Sequence, residues 1–263
     1  MTQQMTQHSS DEVDLTRLLA ERVHRQQQVV QGYRIFGSYG WGDDGSGHIS
    51  ARDPQHTDSF WLLKYGVPFS QASVADLVLV GPDGTAHGDD PNGAPINGAA
   101  FCIHAPIHAA RPDVVSVAHT HTGYGTPFAA LVRPIRAISQ EACAFHDDQS
   151  VFDGEELDVL DLTIGARLAA ALGQHRLLIM ANHGLLTAAA TVGQAVAFFV
   201  LAERAAEVEV KVGAEARVVS EAAAAAVYRS VGPPSNGDNV FGWLCRTRLG
   251  EQAWPPMPSS VAP

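Results

Sequence analysis

The chain has 263 residues, of which 46% are hydrophobic, with a formal net charge of −11, 12 histidines and 3 cysteines. Its acidity argues against a nucleic-acid surface, and no uninterrupted apolar run reaches the ~20 residues that cross a bilayer. The expectation is a soluble, cytoplasmic protein: residues 1–14 lack a hydrophobic signal region, and Cys102, Cys143 and Cys245 lack C-x-x-C spacing and read as buried thiols.

In chain order, residues 1–10 read as a disordered polar lead. Residues 11–36 read as an amphipathic helix with Leu15, Leu18, Leu19, Val23, Val29, Val30 and Ile35 on its apolar stripe. A glycine-rich turn over 37–48 feeds short strands at 49–52, 60–63 and 77–80, the last closed by Gly81-Pro82-Asp83-Gly84. Short strands joined by tight turns predict antiparallel pairing. The period then changes to that of a helix over 99–111, which Arg111-Pro112-Asp113 ends. His104 and His108 lie one turn apart on it; the reading preferred here is that they pack beside a site and do not themselves form a metal pair.

Residues 114–121, Val-Val-Ser-Val-Ala-His-Thr-His, read as a buried strand. Residues two apart in a strand share a face, so His119 and His121 project together where Gly123-Tyr124-Gly125 leaves room for a ligand. Two converging imidazoles make half of a transition-metal site. Beyond a helical stretch at 126–131, a strand at 135–139, an acidic loop at 141–153 and a long helix at 155–172, a second apolar strand over 177–187 contains His183 followed by Gly184. A third ligand arriving from that neighbouring segment is the economical reading. A helix over 191–212, a Pro/Gly/Asn-rich loop at 232–239, a last element at 240–249 and a flexible tail at 251–263 complete the chain. With no repeat and no break in composition, one domain over 11–250 is predicted, with α/β layers.

The ordered set Gly47-His48-Ile49-Ser50-Ala51-Arg52, Tyr65-Gly66-Val67, Ala110-Arg111-Pro112-Asp113, His119-Thr120-His121 and Asn182-His183-Gly184-Leu185-Leu186 resembles the class II aldolase/adducin family. The resemblance implies a three-layer α/β/α fold with a mixed, largely antiparallel central sheet. It also implies a homotetramer and one divalent ion per subunit on His119, His121 and His183. Imidazole does not choose between zinc, iron and manganese.

The departures narrow the chemistry. Where the family's sugar-phosphate aldolases carry two serines and a glutamate, this chain has Gly98, Ala99 and Ala100, and no Asp or Glu occurs over 91–111. His48 replaces an asparagine, and Gln140 stands where some aldolases use a tyrosine. A phosphate needs a nest of donors, so a phosphorylated sugar is disfavoured and a small-molecule carboxylate, a hydroxy or oxo acid, is preferred. The segment Ser139-Gln140-Glu141-Ala142-Cys143-Ala144-Phe145 is similar to one in a subset that includes decarboxylases of aromatic hydroxy acids and non-haem iron oxygenases of antibiotic biosynthesis.

On that reading the chain is a metal-dependent carbon–carbon lyase of decarboxylase or aldolase type. An iron oxygenase that decarboxylates an aryl α-hydroxy acid oxidatively is the second reading, and a non-catalytic adducin-like scaffold the third. Glu141, His48 and His146 are the candidates for acid–base work, with a solvated loop carboxylate the competing reading of Glu141. Arg52, Tyr124 and Gln140 are the candidate substrate contacts, with a structural ion pair the competing role for Arg52.

Overall fold

In a computed structural model, residues 2–87 and 95–250 are described, with side chains from Leu15 onward; the expected tail at 251–263 lies outside them. The chain opens with α1 (Thr2–Ser38) and continues through β1 (Gly47–Arg52), β2 (Phe60–Leu63) and β3 (Leu77–Val80). Then come α2 (Gly98–Ala110), β4 (Ser116–Thr120), α3 (Gly125–Ala129), β5 (Gln149–Phe152) and α4 (Leu162–Leu172). It closes with β6 (Leu177–Met180), β7 (Gly184–Ala189), α5 (Val192–Val212), α6 (Glu221–Val231) and α7 (Pro234–Leu249).

Among the described residues the strands form one sheet in the order β3-β2-β1-β4-β7-β6-β5. Every neighbouring pair is antiparallel except β5 with β6. Alternate side chains feed two cores. Ile49, Ala118, Ile179 and Leu185 pack with Val29 and Phe36 of α1 and Val196 and Phe199 of α5. Val117, Leu178, Met180 and Leu186 pack with Ile103 and Ile107 of α2 and Leu168 and Leu172 of α4. Because both faces are covered, β6 and β7 are apolar at nearly every position, whereas β1 alternates Ile49 and Ala51 toward one core with the polar His48 and Ser50 on the other side. The three layers and the mixed sheet are those expected.

Several elements differ from expectation for identifiable reasons. The first helix runs back through the residues read as a disordered lead, an uninterrupted stretch with no Pro or Gly before Gly32. Its stripe meets the sheet only from Val29; Leu15, Leu18, Leu19 and Val23 are exposed. The strand expected at 135–139 is absent because its backbone groups bond elsewhere. Gln149 bonds both Ile135 N–H and its carbonyl through its side-chain amide, and Glu209 accepts from Arg136 N–H. The acidic loop at 141–153 contains a short 3-10 turn and β5. The helix expected from 155 starts only at Leu162, where the Asp161 side chain accepts from Thr163 N–H and caps it.

The apolar run at 177–187 is two antiparallel strands around a tight turn, with Asn182 at φ 56°. The last helix begins at Pro234, inside the segment read as a loop; Pro is tolerated there because the first turn needs no N–H from it. None of the described helices is long and apolar enough to cross a membrane.

Two glycines fix what surrounds the site. Gly165 of α4 lies against α2, where a Cβ would sit 1.8 Å from the Cys102 carbonyl oxygen. Gly47 opens β1 at φ 121°, with Thr120 filling the space a Cβ would occupy. Its absent side chain lets β1 run beside β4 in a register that sets His48 opposite His119.

Candidate metal centre

His119 sits inside β4, His121 one residue past its end, and His183 in the turn between β6 and β7. Ring centroids are 5.3 Å apart for His119 and His121, 4.9 Å for His119 and His183, and 5.0 Å for His121 and His183. One nitrogen from each ring lies within 4.8 Å of the other two. His119 Nδ1 is 2.7 Å from the Leu185 carbonyl oxygen. A carbonyl only accepts, so Nδ1 carries the proton and Nε2 keeps its lone pair, the arrangement by which a bond from the ring's other nitrogen prepares an imidazole to ligate.

All three rings are pushed toward the neutral form. Burial pushes His119 well below the ordinary histidine range, and the neighbouring histidines add to it. Burial takes His183 to about 4, with His121 contributing. Burial also lowers His121, although Asp44 opposes it. Three neutral imidazoles with lone pairs available fit a divalent transition metal.

The cavity over these rings is lined also by His48, Asp44 and Asp158. His48 and His119 are register partners with ring centroids 5.0 Å apart. Gly98 and Ala99, at the start of α2, line the same cavity and offer it no hydroxyl. Asn97 caps that helix by accepting from Ala99 and Ala100 N–H. Asp44 and Asp158 were not singled out from the sequence. Asp44 follows Asp43 in a glycine-rich turn, a signal that pointed only to a loop, and Asp158 lay inside a stretch read as helix.

The other candidates lie elsewhere, and none of them lines the histidine cavity. Arg52 spends its guanidinium on main chain, donating to the carbonyls of Val114, Thr57, His108 and Arg111. It is a clamp between β1 and the end of α2. Tyr124 lies under the Lys211 ammonium, 5.1 Å from ring centroid to nitrogen, and lines a separate cavity with Tyr39, Trp41 and Arg248. Gln140 is exposed, and Glu141 precedes the 3-10 turn Ala142–Phe145. His146 faces Glu221 at 3.3 Å and Asp147 at 3.6 Å on another surface. Sequence proximity to a motif did not carry Glu141 and His146 to the histidines within one chain, because the 3-10 turn between them packs against α6.

The turn that follows His121 is fastened from below by Glu203 of α5. Its buried carboxylate accepts from Thr122 Oγ1 at 2.5 Å, Tyr124 N–H at 3.0 Å and Gly125 N–H at 2.7 Å. Burial raises its pKa, and those three bonds pull the other way.

Residues 27–210 match the family model described as Class II Aldolase and Adducin N-terminal domain. The chain is 38% identical over 211 residues to a protein of Streptomyces roseochromogenus subsp. oscitans named 4-hydroxy-3-prenylphenylpyruvate oxygenase/4-hydroxy-3-prenylbenzoate synthase, covering 80% of this chain and 74% of that one. It is 37% identical over 221 residues to Decarboxylase NovR of Streptomyces niveus, covering 84% and 80%. Among solved structures, an L-fuculose 1-phosphate aldolase from Glaciozyma antarctica PI12 superposes with a TM-score of 0.78 at 31% identity, over 89% of this chain and 94% of that one.

Proposed function

Since the chain belongs to the class II aldolase and adducin family, we propose that it is a divalent-metal-dependent carbon–carbon lyase, of decarboxylase type, acting on a non-phosphorylated hydroxy or oxo acid. One observation carries this reading: three neutral imidazoles share a cavity whose α2 rim, Gly98 and Ala99, has no hydroxyl or carboxylate. Beside the histidines the cavity's side-chain donors are Ser46, Tyr65 and Asn97, and its carboxylates, Asp44 and Asp158, disfavour a phosphate dianion more than a singly charged carboxylate. When bound, a divalent ion on His119, His121 and His183 supplies positive charge for a substrate carboxylate and its α-oxygen and for the negative charge left as the carbon–carbon bond breaks.

The chain's own residues do the rest. His48 lies beside His119, ring centroids 5.0 Å apart, and lines the same cavity. Asp44 and Asp158 stand at the cavity as the carboxylates placed to move a proton, the task that the sequence reading gave to Glu141 and His146. A cytoplasmic homotetramer is part of the same proposal, and sedimentation equilibrium checks the assembly.

A second reading, an iron-dependent oxygenase, is favoured by the relative named as an oxygenase and by an all-nitrogen donor set that also suits iron(II). The deciding experiment loads metal-free protein anaerobically with iron(II), zinc or manganese and follows 4-hydroxymandelate. Release of CO2 without oxygen supports the lyase. Oxygen uptake matched to CO2 release, with iron alone, supports the oxygenase. Protein that takes up none of the three metals overturns both.

A further inference from the structure

A second cavity, of about 240 Å³, adjoins the histidine cavity. Asp44, Gly47, His48, Tyr65 and Asn97 line both, so the two meet around the His48 ring. Gly45 also lines both, and a Cβ there would meet no atom within 4 Å, so their common rim is open. The His48 ring is held from behind by a buried row between β1 and α2. His48 Nδ1 is 2.7 Å from His104 Nε2, and His104 Nδ1 is 2.6 Å from Ser50 Oγ. Ser50 Oγ is in turn 2.8 Å from His108 Nε2.

The inner wall of the second cavity is apolar. Tyr33 of α1, Leu62 and Leu63 of β2, Phe69 and Ala100 of α2 line it and are all buried. Tyr33 and Phe69 meet edge to face, with ring centroids 4.7 Å apart. The Tyr33 hydroxyl is already committed: it accepts Ile49 N–H at 2.7 Å and donates to the Ile49 carbonyl at 3.0 Å. Only its ring is left as wall. Nor does the main chain offer an anion site, which would need several free N–H groups. Lys64, Tyr65 and Val67 donate theirs to the carbonyls of Asp76, Pro95 and Lys64. Asn97 Oδ1 takes those of Ala99 and Ala100 at the head of α2. Among the described lining residues Lys64 is the one cation, set against the carboxylates of Asp43 and Asp44.

We propose that this second cavity is the subsite for an uncharged aromatic ring of the substrate, whose acid end lies at the three histidines, and that the small side chain of Ala100 keeps it open. A cavity of ~150 Å³ accepts benzene, so about 240 Å³ takes a phenyl ring with a short substituent. An aromatic ring also gains edge and face contacts with Tyr33 and Phe69 that an alkyl chain of equal size does not. Placing the acid end at the histidines rests on the proposed function; the cavity's preference for an uncharged ring does not.

The test titrates metal-free, methyl-labelled protein with 4-ethylphenol and, separately, with benzyl phosphate, following the methyl NMR signals of Leu62, Leu63 and Val67. 4-Ethylphenol is expected to shift them and to bind about tenfold or more tightly than benzyl phosphate. In Ala100→Leu, and in Val67→Trp on the half-buried loop side, affinity for 4-ethylphenol should fall by about tenfold. Unmoved methyls, a preference for the phosphate, or parental affinity in either folded variant overturns the proposal. If Ala100→Leu does not fold, Val67→Trp decides. On zinc-loaded protein 4-ethylmandelate should displace 4-ethylphenol, whereas glycolate should not. Simultaneous binding of 4-ethylmandelate and 4-ethylphenol overturns the shared site. Protein that takes up no zinc defeats the lyase reading, and the metal-free titrations still decide what the cavity accepts.

Discussion

His119 Nδ1 and the Leu185 carbonyl lie 2.7 Å apart, joining the β4 strand that carries one of the three clustered histidines to the β7 strand beside another. The ring that makes this bond also belongs to the candidate metal centre, so its packing and any metal binding by it cannot be separated there. His121, exposed just past the end of β4, carries no such double duty.

The two histidines should accordingly respond differently to removal. His121→Ala is expected to lose the bound ion while unfolding within about 0.5 kcal/mol of the parent, as exposed substitutions do. His119→Ala is expected to lose the ion and also about 2–4 kcal/mol of stability, from a buried cavity and an unpaired carbonyl. Elemental analysis and urea unfolding of the metal-free proteins measure the two effects. A His121→Ala protein that holds its metal at the parent's stoichiometry would falsify the three-histidine centre.

Glu203 organises the turn after His121 without being a candidate ligand. Glu203→Ala leaves Thr122 Oγ1 and Tyr124 N–H without this acceptor and Gly125 N–H with only the Thr122 Oγ1 contact at 3.2 Å. At about 1–3 kcal/mol for each buried donor left unmet, a total loss of about 3 kcal/mol is expected, with Glu203→Gln retaining part of it. Equal stabilities for the three proteins in urea would show that the turn holds itself.

Gly165→Ala tests the packing that places α2. Its new methyl would have to occupy space 1.8 Å from the Cys102 carbonyl oxygen, which is main chain and yields only if a helix moves. A loss of about 3 kcal/mol is expected, toward the upper end for overpacked sites, and a melting temperature lower by about 6–12 °C. Since α2 bears His104 and His108, the variant should also broaden their NMR signals. A melting curve that overlays the parent's would mean that the two helices are not pressed together as described.

Acid should weaken the fold in two separable steps. His108 has a folded pKa of about 3, from burial first and the Arg52 charge second, against an ordinary 6.5. Below 6.5 the unfolded chain therefore binds a proton that the folded chain refuses. Its contribution is fully present above pH 6.5 and is lost as the pH falls toward 3, by up to about 1.4 kcal/mol per pH unit. Glu209 is depressed to about 2 by its bonds to Arg133 and Arg136, which outweigh its burial, and it acts lower, between 4.5 and 2. Guanidinium unfolding from pH 4.5 to 7 should show stability rising with pH, and His108→Asn should remove about one histidine's share of the slope. An unchanged slope would place the proton uptake at other residues.

The parts of the site legible from sequence are those set by local geometry. An i, i+2 pair at the end of an apolar strand predicted the convergence of His119 and His121, and strands 60–63 and 77–80 fell where the β-branched and aromatic runs place them. What escaped depended on distant partners. Residues 135–139 look like a strand until Gln149 and Glu209 take up their backbone groups. Glu141 and His146 look close to a site until the chain turns to α6. Asp44 and Asp158 reach the histidines only because two loops, more than a hundred residues apart, fold over one end of the sheet. Likewise His104 and His108 read as packed beside a site, but their link to Ser50 is invisible until β1 and α2 are known to lie face to face.

A strand and a helix laid side by side behave like the two scales of a vernier. With ~6.7 Å per step on one and ~6.0 Å on the other, their marks drift by ~0.7 Å at each rung. After two rungs the offset approaches half a hydrogen bond, and small side chains no longer bridge it. In this protein the series stops at that point, with the long, forked side chain of Arg52 reaching across the gap to four main-chain carbonyls, those of Thr57, His108, Arg111 and Val114. Rows of this construction are therefore short by arithmetic, and a longer one would require the helix to tilt.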